Sequence, residues 1–160
     1  MNLAETDLVF LRQAIGLSDN AHIRGDGGPF GAVIVKNEQV IGKGWNRVLV
    51  THDPTAHAEV TAIRDACAHL GTHDLAGSVI YTSCEPCPMC LAAIYWARLD
   101  RIVMAATRTD AAAIGFDDDL IYRQIALDPS MRKVPAEIGL RADALSVMRV
   151  WAESGSATAY

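Results

Sequence analysis

The sequence has no apolar run long enough to cross a membrane, no internal repeat and no low-complexity linker. It begins without the basic and apolar stretches of a secretion signal, so we expect a cytoplasmic protein with no membrane partner. Of its 160 residues, 51% are hydrophobic and 21% are charged, a balance typical of globular proteins rather than disordered chains. We therefore expect residues 1–160 to form a single domain.

Basic side chains are also scarce. Fourteen Lys and Arg face 19 Asp and Glu, which gives a formal net charge of −5, and residues 154–160 contain no basic side chain. Proteins that bind a polyanion usually carry a basic patch, because contacts to phosphate dominate the affinity. The composition therefore disfavours a nucleic-acid partner.

Cysteine is limited to four positions, Cys67, Cys84, Cys87 and Cys90. In a reducing compartment such cysteines are more often thiols or metal ligands than disulfides. The spacing His57-x-Glu59, followed by Pro86-Cys87-x-x-Cys90, is typical of zinc deaminases that act on nucleobases. We expect His57, Cys87 and Cys90 to bind one Zn²⁺ per chain, because three protein ligands leave the fourth position that a catalytic zinc keeps for water.

The same ligand set gives Glu59 a catalytic role. Two thiolates and a neutral imidazole cancel the charge of Zn²⁺, so this metal acidifies its water less than a tris-histidine zinc, where the water pKa is about 7. A neighbouring base is then useful, and Glu59 is placed to accept the proton and to return it to a ring nitrogen and the leaving amine. Attack by zinc-bound hydroxide with Glu59 as proton shuttle is hydrolytic deamination.

The hydrophobic pattern predicts an α/β protein with three layers, α/β/α, around a mixed sheet of about five strands. The expected strands are 30–36, 39–44, 78–82, 101–106 and 134–140, with the first two joined by a turn at 37–38. The expected helices are 6–17, 56–70, 87–97, 110–114, 120–126 and 142–152. The predicted helix starts that carry His57 and Cys87 then meet at one edge of the sheet, where such sheets usually bind ligands.

Three runs of this sequence resemble the cytidine deaminase superfamily: Pro29-Phe30-Gly31-Ala32-Val33, Asp53-Pro54-Thr55-Ala56-His57-Ala58-Glu59-Val60 and Cys84-Glu85-Pro86-Cys87-Pro88-Met89-Cys90. Further matches at 92–98 and 115–118 make it most similar to small bacterial guanine deaminases, over about residues 6–160. The resemblance implies hydrolysis of guanine, a free nucleobase, to xanthine and ammonia. It also implies zinc on His57, Cys87 and Cys90, with Glu59 moving the proton.

The candidate substrate-binding residues are Asn46, Phe30, Ala58, Trp96, Asp118 and Tyr160. The resemblance implies that Asn46 hydrogen-bonds the base and that Asp118 and Tyr160 contact the purine and select it. For Phe30 and Trp96 a place in the core is an equally good interpretation, and for Asp118 so is a solvated surface. The resemblance further implies a homodimer in which a C-terminal segment, about 141–160, closes over the site, often from the partner subunit.

Three other interpretations compete with this one. A tRNA adenosine deaminase shares the zinc motif, but the acidic net charge and the segment 109–119 disfavour it. A cytosine deaminase is disfavoured mainly by the downstream resemblance. A structural zinc-binding module would take Cys84 as a fourth ligand, and it would leave Glu59 without a function.

Overall fold

The computed structural model describes residues 3–155 and 157–158, and the chain divides into two compact units, one ending at Asp118 and one beginning at Asp119. The first unit contains a sheet of strands β1 (Gly31–Lys36), β2 (Gln39–Trp45), β3 (Ser78–Cys84) and β4 (Arg101–Ala106). Their spatial order is β2-β1-β3-β4. Strand β1 runs antiparallel to both of its neighbours and β3 runs parallel to β4, which confirms the predicted mixed sheet.

The first unit also contains five helices, α1 (Glu5–Arg24), α2 (Val48–Thr51), α3 (Ala58–Leu70), α4 (Pro88–Trp96) and α5 (Arg108–Ala113). The second unit contains α6 (Asp119–Ile125), a 3₁₀ turn (Pro129–Met131) and α7 (Arg141–Glu153). Within the described part of the chain, none of the helices combines the length and the apolarity that a membrane crossing needs.

The three layers of the first unit follow from alternation along β1, whose successive side chains point to opposite faces. Ala32 and Ile34 join a buried cluster on the face covered by α3 and α4, which also contains Ile80 of β3. Val33 and Val35 join the cluster on the other face, which is covered by α1. Both faces of β1 are thus buried, and the predicted α/β/α arrangement is confirmed.

The β1–β2 hairpin is closed by Asn37 and Glu38, as the sequence predicts. Both residues have a positive φ, 50° and 62°, and Lys36 pairs with Gln39 across the turn. A two-residue turn with both φ angles positive matches the right-handed twist of the strands that it joins. The turn and a bulge at Ile41, which shifts the pairing by one residue between Val35 and Ile34, together set the register that brings Trp45, the last residue of β2, opposite Gly31 at the edge where the functional residues lie.

Helix α3 lies very close to β2 because the strand carries glycine there. A Cβ on Gly44 would lie 2.2 Å from the carbonyl oxygen of Ala58 and 2.4 Å from the amide nitrogen of Ala62. Any larger residue would push the first turn of α3 away from the strand. The close contact therefore fixes the start of α3 against the end of β2. It brings His57 and Glu59, at the start of the helix, near Asn46, which follows the strand.

Helix α1 is bound to the sheet by hydrogen bonds to a buried carboxylate, that of Asp7. Its Oδ1 accepts a hydrogen bond from the hydroxyl of Tyr81 at 2.8 Å, and its Oδ2 accepts one from Nη2 of Arg101 at 2.8 Å. The bonds from Arg101 are the main reason that the pKa of Asp7 lies below its ordinary value of 3.8. This ion pair joins α1 to β3 and β4, so it is a structural group on the face opposite α3 and α4.

The predicted strand 134–140 was wrong, so the described residues form four strands instead of about five. Apolar residues alternate along this segment, but Pro135 has no amide hydrogen to donate to a ladder and Gly139 weakens strand pairing. Helix α1 is also longer than predicted, since it continues past Gly16 to Arg24 and is capped by Gly25, which has a φ of 69°. An interior glycine costs a helix only about 1 kcal/mol, less than packing supplies. The short α2 was not predicted.

Candidate metal and catalytic site

The residues predicted as metal ligands lie at the starts of two helices on the same face of the sheet. His57 is the residue immediately before α3, and Cys87 is the residue immediately before α4. Pro88 occupies the first position of α4, where proline is favoured because its fixed φ suits a helix start, and Cys90 follows one turn into the helix. The positive end of the α4 dipole favours thiolates at Cys87 and Cys90.

The three ligand atoms form a triangle of the size that zinc requires. Nδ1 of His57 lies 3.5 Å from Sγ of Cys87 and 3.5 Å from Sγ of Cys90, and the two sulfurs are 3.6 Å apart. Tetrahedral zinc with ordinary bond lengths places its ligands about 3.6 Å apart for nitrogen and sulfur and about 3.8 Å apart for two sulfurs. The donor set and its spacing therefore fit Zn²⁺, with Nδ1 as the ligand atom of His57.

Cys84 does not belong to this triangle. Its Sγ donates a hydrogen bond to the carbonyl oxygen of Thr107 at 3.4 Å, and it is absent from the group of residues that could hold a metal ion, which is His57, Cys87 and Cys90. Within the described residues the ligand group therefore has three members, as in an open catalytic site, and not the four of a closed structural site.

Glu59 borders the ligand triangle and is almost completely buried. Its Oε2 lies 3.4 Å from Sγ of Cys90. Burial raises the pKa of Glu59, because an apolar environment disfavours the charged carboxylate. A carboxyl whose pKa is shifted towards neutral pH suits a group that must both accept and release a proton.

The two cysteines titrate as a coupled pair. The thiol of Cys90 donates to the sulfur of Cys87, which lowers the pKa of Cys87 to about 4 and raises that of Cys90. The hydrogen bond with the Cys87 sulfur also raises the pKa of His57. One thiolate is therefore ready to bind a cation, and binding a metal displaces the remaining protons from the ligands.

Asn46 and Phe30, both predicted to contact substrate, are neighbours at the end of the hairpin. The amide of Asn46 donates to the carbonyl oxygen of Phe30 at 3.0 Å. The Phe30 ring packs against the buried cluster that contains Ala58, and it meets Phe116 edge to face with centroids 4.9 Å apart. Phe30 thus borders the core on one side. Sequence reasoning did not single out Phe116, although it lies within the run 115–118 that carried the resemblance.

Asp118 is half-buried and paired, so it does not lie on a solvated face. Its Oδ1 is 3.6 Å from Nε of Arg108, whose backbone amide donates to Oε2 of Glu85 at 2.9 Å. Burial raises the pKa of Asp118, and the charge of the Cys87 thiolate acts in the same direction. Asp118 therefore lies within electrostatic reach of the ligand triangle.

The other candidates are placed less centrally. Trp96 is 65% exposed at the last residue of α4, which removes the core interpretation. It follows Cys90 by six residues, or about 9 Å along the helix axis. Ala58 is the buried first residue of α3. Tyr160 lies outside the described residues.

An α/β/α sheet that carries an open His/Cys/Cys ligand set beside a buried carboxylate defines a zinc-dependent hydrolase, which activates water for attack. The sequence also matches the family described as the cytidine and deoxycytidylate deaminase zinc-binding region over residues 4–106. This chain belongs to that family, and it is a zinc-dependent deaminase with the cytidine deaminase fold.

Individual relatives extend the similarity beyond residue 106. Guanine deaminase of Bacillus subtilis is 50% identical over 142 residues, which are 89% of this chain and 91% of that protein. The X-ray structure of the Bacillus subtilis guanine deaminase superposes on this chain with a TM-score of 0.93 at 46% sequence identity. The match covers 100% of this chain and 99% of that one. A tRNA-specific adenosine deaminase of Haemophilus influenzae is 40% identical over 121 residues, 72% of this chain and 69% of that protein. The resemblance inferred from the sequence is confirmed.

Proposed function

We propose that this protein hydrolyses guanine to xanthine and ammonia. The observation that carries the proposal is the ligand triangle with Glu59 beside it, which supplies the chemistry of deamination. The choice of guanine rests on residues 107–160, which lie beyond the family match. There the similarity to the Bacillus subtilis guanine deaminase continues to the end of the chain, whereas the tRNA-specific adenosine deaminase matches only 72% of it.

In the proposed reaction, water attacks C2 of guanine, a new C2–O bond forms and the C2–N bond breaks as ammonia leaves. Zinc bound by His57, Cys87 and Cys90 supplies the acidity that makes the water reactive. Glu59 accepts the proton of the attacking water and delivers it to the adjacent ring nitrogen N3. Glu59 then accepts the remaining proton of the added water from the new C2 hydroxyl and passes it to the amine, which leaves as ammonia while the C2 carbonyl forms. Asn46 hydrogen-bonds the base and holds it in register with Glu59.

We further propose that Phe30, Ala58 and Asp118 contact the substrate. Trp96 and Tyr160 complete the pocket in a homodimer, where the segment 141–160 of the partner subunit covers the site. Helix α7, which lies in that segment, supports this, because Val147, Val150 and Trp151 share one face of the helix and are 71%, 66% and 52% exposed. Apolar residues grouped on one exposed face often mark an interaction surface. The proposed setting is purine metabolism in the cytoplasm.

The proposed substrate can be tested directly with a panel of bases. Purified protein loaded with zinc is expected to release ammonia from guanine much faster than from adenine, cytosine, cytidine or an anticodon-arm RNA. The reason is that the similarity to the Bacillus subtilis guanine deaminase covers the whole chain, residues 107–160 included. Faster release from the RNA would overturn the choice of guanine and favour a tRNA adenosine deaminase.

The role of the C-terminus is tested by deleting residues 157–160. We expect kcat/KM for guanine to fall about 10- to 100-fold, because an aromatic side chain stacked on a base contributes about 1–3 kcal/mol. The melting temperature and the zinc content should stay close to those of the full chain. The point variant Tyr160→Phe, measured in parallel, separates the ring from its hydroxyl. Unchanged kinetics in the deletion variant would remove Tyr160 from the site.

A further inference from the structure

The side chain of Asn46 is held in one orientation by its surroundings. It is only 4% exposed, and its Oδ1 accepts a hydrogen bond from the amide of Val48 at 3.1 Å. An asparagine side chain offers one acceptor oxygen and two N–H donors. Because Val48 fixes the oxygen end, the Nδ2 end is the part of the amide that remains to donate to a hydrogen-bond acceptor such as a ring nitrogen or a carbonyl oxygen of a base.

Gly27, in the loop between α1 and β1, lies directly against this amide. A Cβ on Gly27 would lie 2.0 Å from Oδ1 of Asn46, 2.9 Å from its Cγ and 2.9 Å from its backbone carbonyl oxygen. Gly27 is not among the glycines with a positive φ, so its backbone does not require glycine. The space occupied by Asn46, with its side-chain oxygen as the closest atom, is therefore what excludes a larger residue at this position.

Asp26 anchors the same loop to both sides of Asn46. Its Oδ2 accepts a hydrogen bond from Nε1 of Trp45 at 2.7 Å, which holds the residue before Asn46. Its carbonyl oxygen accepts from the amides of Leu49 at 3.1 Å and Val50 at 3.2 Å, which hold the helix after Asn46. The loop and Asn46 are thus kept at a fixed separation, and the loop has little freedom to move away from an added side chain.

We propose that Gly27 is a positioning residue for substrate: its missing side chain lets the Asn46 amide keep the orientation in which Nδ2 donates to the base. The proposal rests on the proposed function of Asn46 in binding the base. Asp26 and Trp45 support the arrangement by holding the loop in place. Gly27 acts through Asn46, whose atoms are the three nearest to a Cβ at this position, and it is not one of the metal-ligand residues.

The test is the variant Gly27→Ala, assayed on whichever base of the panel the wild-type protein deaminates fastest. We expect KM to rise about 10- to 100-fold with a much smaller change in kcat and with one zinc still bound, because the loss of one hydrogen bond to substrate costs about 1–3 kcal/mol. Gly16→Ala is the matched control. A Cβ on Gly16 meets nothing within 4 Å, so this variant should keep full activity.

A double-mutant cycle separates positioning from general damage. In an Asn46→Ala background, adding Gly27→Ala should raise KM much less than it does in the wild-type background, because the side chain that the added methyl group meets most closely is already gone and only the contact with the carbonyl oxygen of residue 46 remains. Equal effects of Gly27→Ala in both backgrounds, or an unchanged KM in the single variant, would overturn the proposal. If Gly27→Ala does not fold, Trp45→Phe provides the second test. It removes the indole donor to Asp26 while keeping an aromatic ring beside Arg24 and Arg47, and it should raise KM several-fold; an unchanged KM there would count against the proposal.

A crystal structure of Gly27→Ala tests the same idea without any assay, so it distinguishes a wrong inference from a wrong substrate. The Asn46 side chain should be displaced from Val48. If the added methyl group is accommodated while the hydrogen bond from Val48 to Asn46 Oδ1 remains intact, the inference fails even if guanine is the substrate. If guanine is not deaminated but Asn46 is displaced, the proposed function fails and the positioning role stands.

Discussion

Replacing Glu59 by Gln is expected to reduce ammonia release about a thousandfold or more while one zinc per chain stays bound. General acid–base catalysis by a placed side chain contributes about 10²- to 10⁴-fold, and the amide of Gln can neither accept the proton of water nor return it to the ring. Gln has nearly the same shape, and Glu59 is not one of the three ligand residues. Turnover is measured as ammonia release and metal content by atomic absorption.

Stability gives this prediction an internal control. Because Glu59 is buried, a neutral amide should be tolerated at least as well as a carboxylate, so the free energy of unfolding should not fall. Glu38→Gln makes the same chemical change on the exposed hairpin turn and should leave turnover unchanged. Wild-type rates in Glu59→Gln would contradict the proton shuttle, and loss of zinc would mean that Glu59 supports the ligands instead.

Local sequence patterns were sufficient to predict most of the first unit. The apolar run of β1, followed by Asn37 and Glu38, specifies a hairpin, because the strand period and the turn chemistry agree. The ligands could be placed for a similar reason. His57 and Cys87 each come just before a helix that packs on the same face of the sheet, so their spacing along the chain becomes a short distance in space.

Features that depend on tertiary contacts could not be predicted in this way. The contact of Gly27 with Asn46 joins residues on two separate loops, and it arises only once the hairpin register and Asp26 fix both loops. The pairing of Phe30 with Phe116 is of the same kind. In the segment 134–140, alternation predicted a strand. A strand also needs hydrogen-bonding partners, which a sequence pattern does not supply.

Removing the metal is expected to abolish turnover without unfolding the first unit. Zinc contributes several kcal/mol to the activation of water, so the variant Cys87→Ala should lose about a thousandfold or more in rate together with its zinc. The two buried clusters on either side of the sheet contain neither His57 nor Cys87. They should therefore keep the fold when the metal is absent, as far-ultraviolet circular dichroism and a cooperative urea transition would show.

Cys84→Ser is the matched control for the metal experiment. The Cys84 thiol donates to the carbonyl oxygen of Thr107, and a serine hydroxyl can make the same kind of bond, so this variant should keep one zinc per chain and most of its activity. Loss of metal from Cys84→Ser, or loss of the cooperative urea transition in Cys87→Ala, would point to a closed four-ligand site that supports folding. If Cys84→Ser retains its zinc, and Cys87→Ala loses zinc and turnover but keeps its fold, the metal is assigned to catalysis, because an open site is free to bind water where a closed one is not.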